Sequence, residues 1–194
     1  ILSVPHFLHK TISVNLLNKN KHVFIEKPLA NTVEECNSII SAKNKCVVSV
    51  GLLRRFIKAN IWLKGLLDSG DLGEIKEFSF REGSVYSWPV KTDSFWKKDK
   101  SGGGVLIDTG AHTLDQLCWW FGEISVLSYK DNSYGGVESD CFIHLKLNNG
   151  NTGTVDLSRT RNLGAYCLIK AEKGLIKIGL IDNTVQTNNP LIIK

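Results

Sequence analysis

The sequence lacks methionine altogether and begins Ile-Leu-Ser-Val, so its first residue is not expected to be a natural translation start. We therefore interpret the 194 residues as a fragment. No apolar run is long enough to cross a bilayer and no basic-then-apolar leader opens the chain, which predicts a cytoplasmic protein with no membrane partner. The net charge of +5 comes from scattered lysines and arginines. Because no basic stripe alternates with aromatic residues, nucleic acid is not an expected partner.

The cysteines lack any recognisable spacing. There are five of them, an odd number, and no two form a C-x-x-C pair. This excludes a disulfide framework and a zinc knuckle as the basis of the fold. We predict that they are small buried side chains in a reducing compartment. They are Cys36, Cys46, Cys118, Cys141 and Cys167.

The first fifty residues alternate short apolar runs with helical periodicity, which predicts a parallel β-α-β-α-β arrangement. Strands are expected at 1–4, 23–25 and 46–53, and helices at 7–18 and after Thr32, which forms a capping box with Glu35. The apolar residues expected to face inward are Leu8, Ile12 and Leu16 on the first helix, and Val33, Cys36, Ile39 and Ile40 on the second.

Ligands of such sheets bind beyond the carboxyl ends of the strands, so Pro5 and Lys27 are expected to share one edge. The arrangement corresponds to half of a dinucleotide-binding fold. The G-x-G-x-x-G turn of the other half is absent, and Gly102-Gly103-Gly104 does not have its spacing.

The pattern changes after Arg54-Arg55-Phe56, which places a domain boundary there. We predict a partial Rossmann domain at 1–53 and an α+β domain with a largely antiparallel open sheet at 54–194, an α/β fold class. A long aromatic loop at 83–101 is expected to be functional. A helix is expected at 60–69 and a strand at 75–81. A second helix is expected from the triple glycine to Gly122, followed by an antiparallel meander of strands at 140–147, 152–160, 165–171 and 175–180.

The helix after the triple glycine carries two parallel rows of residues. The row with 4-3-4-3 apolar spacing is expected to be buried: Ile107, Ala111, Leu114, Cys118 and Phe121. The second row, Asp108, His112 and Asp115, lies about 100° around the helix. A histidine four residues after a carboxylate suits proton transfer to a substrate hydroxyl. A purely structural role has about equal weight, and metal chelation by Asp108 and His112 is less favoured because no companion ligand follows; no metal is expected.

Lys27 stands at the end of a strand between Glu26 and Pro28. A strand terminus that simply turns into a loop explains this tripeptide adequately on its own. The position at the ligand-binding edge favours a functional role.

Together these segments resemble the Gfo/Idh/MocA family, which includes glucose-fructose oxidoreductase and inositol dehydrogenase. The resemblance rests on Glu26-Lys27-Pro28 and on the run from Gly102 to Asp115, and it covers nearly the whole chain. Supporting segments are Val4 to His9, Val50 to Phe56 and Ser69 to Ile75.

The resemblance implies an oxidoreductase that uses NAD or NADP to transfer hydride to or from a carbinol carbon of a sugar, polyol or nucleotide-sugar. It implies catalytic roles for Lys27, Asp108 and His112. The residues implied to lie along the cofactor are Pro5, His9, Glu26 and Lys27. The implied substrate contacts are Asp108 and Asp115, and the open sheet implies a homo-oligomer.

Three further side chains are substrate candidates from their chemistry. Arg159 and Arg161 would share one face of a strand and suit a phosphate, although surface solvation explains them as well. Trp96, like Trp88, could stack on a sugar or pack its own loop. The alternatives to a dehydrogenase are a truncated, non-catalytic sugar-binding or oligomerisation module and, with less support, a metal-dependent hydrolase or isomerase.

Overall fold

The computed structural model describes residues 1–90 and 93–189. Contacts divide the chain into two compact units, and the predicted domain boundary at residue 53 stays a prediction. Within the described residues, none of the helices combines the length and apolar composition that a membrane span requires. The first unit contains Ile1–Leu52, Trp88–His112 and Ser133–Glu138; the second contains Leu53–Ser87, Thr113–Asn132 and the described residues from Ser139 onward.

The first unit contains a two-stranded parallel sheet of β1 (Val23–Ile25) and β2 (Val48–Val50). The expected strand at 1–4 is reduced to one parallel bridge between Leu2 and Ile25, because the chain turns at Pro5 into a short 3-10 helix. The parallel β-α-β-α-β order is confirmed, with shorter strands than expected.

Helix α1 spans His9–Asn18 and buries a different face from the predicted one. Its buried residues are His9, Ser13 and Leu17. The prediction for Leu8, Ile12 and Leu16 was wrong by one position, because Leu8 belongs to the preceding 3-10 turn. Ile12 and Leu16 still pack at the edge of the core around Ile25.

Helix α2 spans Val33–Ala42 and begins at the predicted cap, with the Thr32 hydroxyl accepting from the Glu35 amide. Ile39 is fully buried, but Val33 and Ile40 are 70% and 59% exposed, so their predicted inward placement was wrong. A short helix packed on so small a sheet has room for only a narrow apolar stripe.

The second unit is built on a seven-stranded sheet with the order β4-β5-β6-β3-β7-β8-β9. All neighbouring pairs are antiparallel except β3 and β6, which are parallel. The largely antiparallel sheet is confirmed, but the simple meander was wrong, and β4 and β9 were not predicted. The strands are β3 (Ile75–Gly83), β4 (Ile124–Asp131), β5 (Asp140–Leu147), β6 (Thr152–Ser158), β7 (Gly164–Ala171), β8 (Gly174–Gly179) and β9 (Val185–Thr187).

Phe78 and Phe80 of β3 form the centre of the sheet's buried face. Phe78 lies over Gly153, where a Cβ atom would be 2.2 Å from its ring, and stacks on Phe121 at 5.1 Å. Only glycine at position 153 permits this approach of the Phe78 ring to β6. Helix α3 (Lys58–Asp68) contributes Leu63 to the core.

Two helices follow the undescribed pair 91–92: the single turn α4 (Lys98–Ser101) and the long α5 (Val105–Phe121). The predicted buried row on α5 was wrong: Cys118 is exposed, and Ile107, Ala111, Leu114 and Phe121 are only half-buried. The most buried large residues are Val105, Leu117 and Trp120. These side chains bury more apolar area than Ala111 and Cys118, which decides the rotation of the helix.

The cysteines only partly follow the prediction. Cys46, Cys141 and Cys167 are buried, whereas Cys36 is half-buried and Cys118 is exposed. Burial raises the pKa of the Cys167 thiol, which keeps it protonated and inert.

Candidate functional site

Lys27 and Asp108 are in direct contact in the first unit. Lys27 follows β1, and its ammonium group donates to the backbone carbonyl of Asp108 at 2.9 Å and to the Asp108 carboxylate. Both side chains are largely shielded, at 19% and 30% exposure. Two residues 81 positions apart are therefore joined as a partly buried ion pair.

His112 lies one helical turn beyond Asp108 on α5 and is half-buried. Residues four apart lie on the same face of a helix, so an imidazole and the carboxylate paired with Lys27 are presented side by side. The triple glycine sets up this helix. Gly102 adopts a positive φ of 80° as the cap of α4.

His6 belongs to the same neighbourhood and was not predicted from the sequence. Its Nδ1 lies 3.2 Å from the carbonyl of Ser101, which can only accept, so Nδ1–H is the donor. Burial lowers the pKa of His6, partly offset by the Ser101 carbonyl, while the nearby charges of His9 and Lys27 lower it further. In the neutral ring Nε2 is then an acceptor. The only sequence signal was an imidazole directly after Pro5.

His9 is fully buried, unlike the other edge residues. Its two ring nitrogens contact the carbonyls of Pro28 at 2.9 Å and Val4 at 3.0 Å. His9 thus ties the Lys27-Pro28 segment to residues 4 and 5, and its expected contact with a cofactor stays a prediction. The Lys27-Pro28 peptide is cis.

Pro5 and Glu26 are exposed at the carboxyl end of the small sheet. The Glu26 carboxylate faces Gly51, where a Cβ atom would lie 3.2 Å from Oε2. This edge therefore offers an exposed carboxylate, a half-buried ammonium group and a glycine without a side chain. These groups could hold the hydroxyls of a ribose and the polar edge of a nicotinamide.

Asp115 lies in the second unit and is held by an arginine. Its Oδ2 accepts from the Nε of Arg55 at 2.8 Å, and a second bond makes the pair bidentate. Asp115 raises the pKa of Arg55, and the guanidinium lies 5.8 Å from the Trp119 ring. Sequence reasoning named Asp115 and missed Arg55.

Arg159 and Arg161 do not share a strand face, which corrects their predicted placement. Strand β6 ends at Ser158, so both lie in the turn that follows; Arg159 is buried and Arg161 is exposed. Arg161 Nη2 donates to Asp156 at 2.8 Å, and its Nε lies 3.6 Å from Asp140. Arg161 is therefore already neutralised.

The Asp140 carboxylate is strongly engaged. Burial alone would raise its pKa, but hydrogen bonds from the hydroxyls of Ser158 and Thr160 outweigh burial and lower it. The cluster is thus a stable ionic network at the end of the sheet.

Trp96 ends a 3-10 helix at Asp93–Trp96 and is 45% exposed, with Phe95 edge-on at 4.9 Å. Trp88 is 73% exposed. Across the described ranges, no group of three or more His, Cys, Asp or Glu side chains is arranged to hold a metal ion.

Two family models match the chain. One, described as the GFO/IDH/MocA C-terminal domain, matches residues 61–177. The other, described as an oxidoreductase family with an NAD-binding Rossmann fold, matches residues 1–52.

Individual relatives match at moderate identity. Oxidoreductase P35 of Formosa agariphila is 27% identical over the whole chain and 63% of its own length. Inositol 2-dehydrogenase of Salmonella typhimurium is 39% identical over 63% of the chain and 35% of its own length. Levoglucosan dehydrogenase, solved with NADH and levoglucosan, aligns with a TM-score of 0.85 at 24% identity, covering 96% of this chain and 55% of that one. The chain thus spans less than two thirds of each of these relatives.

Proposed function

Because the chain belongs to the Gfo/Idh/MocA oxidoreductase family, we propose that it is part of an NAD(P)-dependent enzyme that transfers hydride at a carbinol carbon of a sugar or polyol. The observation that carries the proposal is the contact of Lys27 with Asp108, with His112 on the next turn of the same helix. These are the three catalytic candidates of the sequence.

NAD or NADP fits the chemistry of the edge at the ends of β1 and β2. Pro5, Glu26 and Lys27 would hold the cofactor there. His9 would fix the backbone of this edge through its contacts with the carbonyls of Val4 and Pro28. When bound, the nicotinamide supplies the hydride acceptor or donor. Side chains of the protein would supply the proton transfer and the hydrogen bonds to the substrate.

Lys27 would orient the substrate oxygen. An ammonium group has three N–H donors, and Asp108 takes two, which leaves one outside the pair for the carbinol oxygen. As that oxygen loses its proton it gains negative charge, which a fixed ammonium in a shielded position stabilises. Asp108 serves by holding Lys27 in place.

His112 would take the hydroxyl proton in the oxidation direction and return it in reduction. Imidazole suits this step because its usual pKa lies near neutral pH. His6, with Nδ1 bound to the Ser101 carbonyl, would accept a hydrogen bond from a neighbouring hydroxyl at Nε2.

A sugar or polyol is favoured over a nucleotide-sugar. A diphosphate would need available guanidinium groups, and Arg161 is already bound to Asp156 and Asp140. The exposed indole of Trp96 suits stacking on a sugar face. Substrate contact by Asp115, Arg159 and Arg161, and a homo-oligomer formed through the open sheet, remain predictions.

The test is substitution of Lys27 and His112 by alanine in the full reading frame that encodes this chain. We expect kcat/KM for NAD(P)-linked oxidation of polyols to fall by about 10²–10⁴-fold in each variant, the usual contribution of acid–base residues. Lys64→Ala is the matched control, since Lys64 pairs with Asp68 on the exposed side of α3. Near-normal rates for Lys27→Ala or His112→Ala contradict the proposal. If no nicotinamide fluorescence change occurs at millimolar cofactor, the non-catalytic alternative is favoured instead.

A further inference from the structure

Glu138 lies at the end of the segment between β4 and β5 and is 7% exposed. Its Oε2 accepts from the amide of Gly104 at 2.9 Å, and its Oε1 accepts from the amide of Leu106 at 2.8 Å. Its own backbone carbonyl accepts from the amide of Val105 at 2.9 Å. One residue therefore receives three consecutive backbone N–H groups at the start of α5.

These groups are the ones that a helix cannot satisfy internally. The first N–H groups of an α-helix have no partner within it, and they carry the positive end of the helix dipole. A buried carboxylate that accepts two of them compensates its own loss of hydration with charge-assisted hydrogen bonds. The start of α5 is thus fixed by a residue more than thirty positions later in the chain.

Asp108 is linked to Glu138 through the backbone of Gly104. Its amide donates to the carbonyl of Gly104 at 3.2 Å, and the Gly104 amide is bound by Glu138. The Asp108 carbonyl and carboxylate in turn accept from Lys27. A displacement of the first turn would therefore move both acceptors of Lys27 at once.

The contact with Glu138 also explains why position 104, the third of Gly102-Gly103-Gly104, is glycine. A Cβ atom on Gly104 would lie 1.8 Å from the Glu138 carbonyl oxygen, so no other residue permits the approach. Glutamine is a poor substitute for Glu138, because its amide NH₂ would face a backbone N–H group while only its oxygen could accept.

We propose that Glu138 is a positioning residue: by binding the amides of residues 104–106 at the start of α5, it holds Asp108 against Lys27. Its effect on catalysis rests on the proposed function, whereas its effect on the Lys27–Asp108 contact does not. No sequence motif marked Glu138, because its partners are backbone amides, which every residue except proline carries.

The experiment compares Glu138→Gln with Glu82→Gln, a matched control. Glu82 is also a shielded carboxylate in a bidentate pair, but its partner is the Arg54 side chain and it belongs to the second unit. In the chain itself, the ¹⁵N-labelled ammonium signal of Lys27 is measured, with Lys64 as an internal reference. We expect the Lys27 signal to shift or broaden in Glu138→Gln and to stay unchanged in Glu82→Gln.

An unchanged Lys27 signal in folded Glu138→Gln overturns the proposal, and so does an equal change in both variants, which would indicate general loosening. If Glu138→Gln does not fold, Glu138→Asp replaces it. The shorter carboxylate keeps the charge but reaches fewer amides, and it must still perturb Lys27.

In the full reading frame, Glu138→Gln should lower kcat by roughly 10-fold, the cost of one charge-assisted hydrogen bond, with KM nearly unchanged. A lower thermal stability with unchanged kcat would make Glu138 purely structural and overturn its proposed effect on catalysis. If the Lys27 signal responds but the wild-type protein shows no dehydrogenase activity, the proposed function fails and the positioning of Lys27 by Glu138 stands.

Discussion

His6 and His9 differ in what surrounds their rings, although both follow Pro5 closely. Both ring nitrogens of His9 contact backbone carbonyls, so its identity matters for holding two segments together. His6 has one bond to backbone and lies near the charges of Lys27 and Asp108. Sequence reasoning selected His9 through a family resemblance and overlooked His6, because exposure and partners are not written in the local sequence.

The lowered pKa of His6 predicts a pH dependence of stability. Burial is its main cause, and it places the pKa of the folded state below the ordinary value of 6.5. Below pH 6.5 the unfolded chain therefore binds a proton more readily than the folded chain. The stability contributed by neutral His6 is full above pH 6.5 and is lost as the pH falls through the folded-state pKa.

The measurement is urea unfolding of the wild type and of His6→Asn between about pH 8 and pH 5. Asparagine can still donate to the Ser101 carbonyl but does not titrate. The free energy of unfolding should fall more steeply on acidification in the wild type than in His6→Asn. Parallel curves would mean that His6 is not the group responsible.

At the scale of elements, periodicity identified α5 but not its rotation. The rows through Ile107 and through Leu117 are both spaced by three and four residues, so spacing alone does not choose between them. Burial in the folded protein decides which row faces inward, because Leu117 and Trp120 bury more apolar area than Ala111 and Cys118. Thr113 and Gln116 are buried with them, which no polarity rule favours.

The order of the strands in the large sheet could not be predicted from local sequence patterns either. The alternation in β5 predicted a strand with one buried face, and the structure has it. The insertion of β3 between β6 and β7 joins residues about 75 to 95 positions apart, as in the Phe78 to Gly153 pair. Hairpin turns specify neighbours in the chain, whereas this pairing depends on how the whole face is buried.

Gly104 provides the prediction at this scale. In Gly104→Ala, the added Cβ atom would overlap the Glu138 carbonyl at 1.8 Å, so the start of α5 must separate from its cap. We expect a loss of more than about 3 kcal/mol in the free energy of unfolding, typical of overpacking combined with a lost cap. Chemical denaturation measures it.

Gly65→Ala is the control for that experiment. Gly65 lies inside α3, and a Cβ atom there would have nothing within 4 Å. Alanine should stabilise the helix by about 1 kcal/mol because of its higher helix propensity. A Gly104→Ala variant as stable as Gly65→Ala would contradict the role given to the third glycine.

For the whole molecule, the two units differ in how much sheet each contains. Among the residues that the structure describes, the first has two strands of three residues and the second has seven strands. Two-stranded sheets are marginal, and local opening costs least where few strands are paired. We expect the amides of Val23–Ile25 to exchange with deuterium faster than those of Phe78–Phe80 at the centre of β3.

Hydrogen exchange resolved by mass spectrometry checks this expectation. The segment Val23–Ile25 pairs with one strand, β2, whereas Phe78–Phe80 lies between β6 and β7, so the experiment compares one-sided with two-sided strand pairing. Equal protection in the two segments would show that the units unfold as one cooperative body.

The sequence by itself determined most of the local elements and marked Lys27, Asp108 and His112 as candidates, because capping residues, periodicity and short motifs act over a few positions. It also predicted the parallel arrangement of the first fifty residues. Only the tertiary structure decided the rotation of α5, the place of β3 in the sheet, the burial of His6 and His9, and the capping of α5 by Glu138. Each of these depends on contacts between residues far apart in the chain, and the free energy of such contacts is set by what the fold brings together.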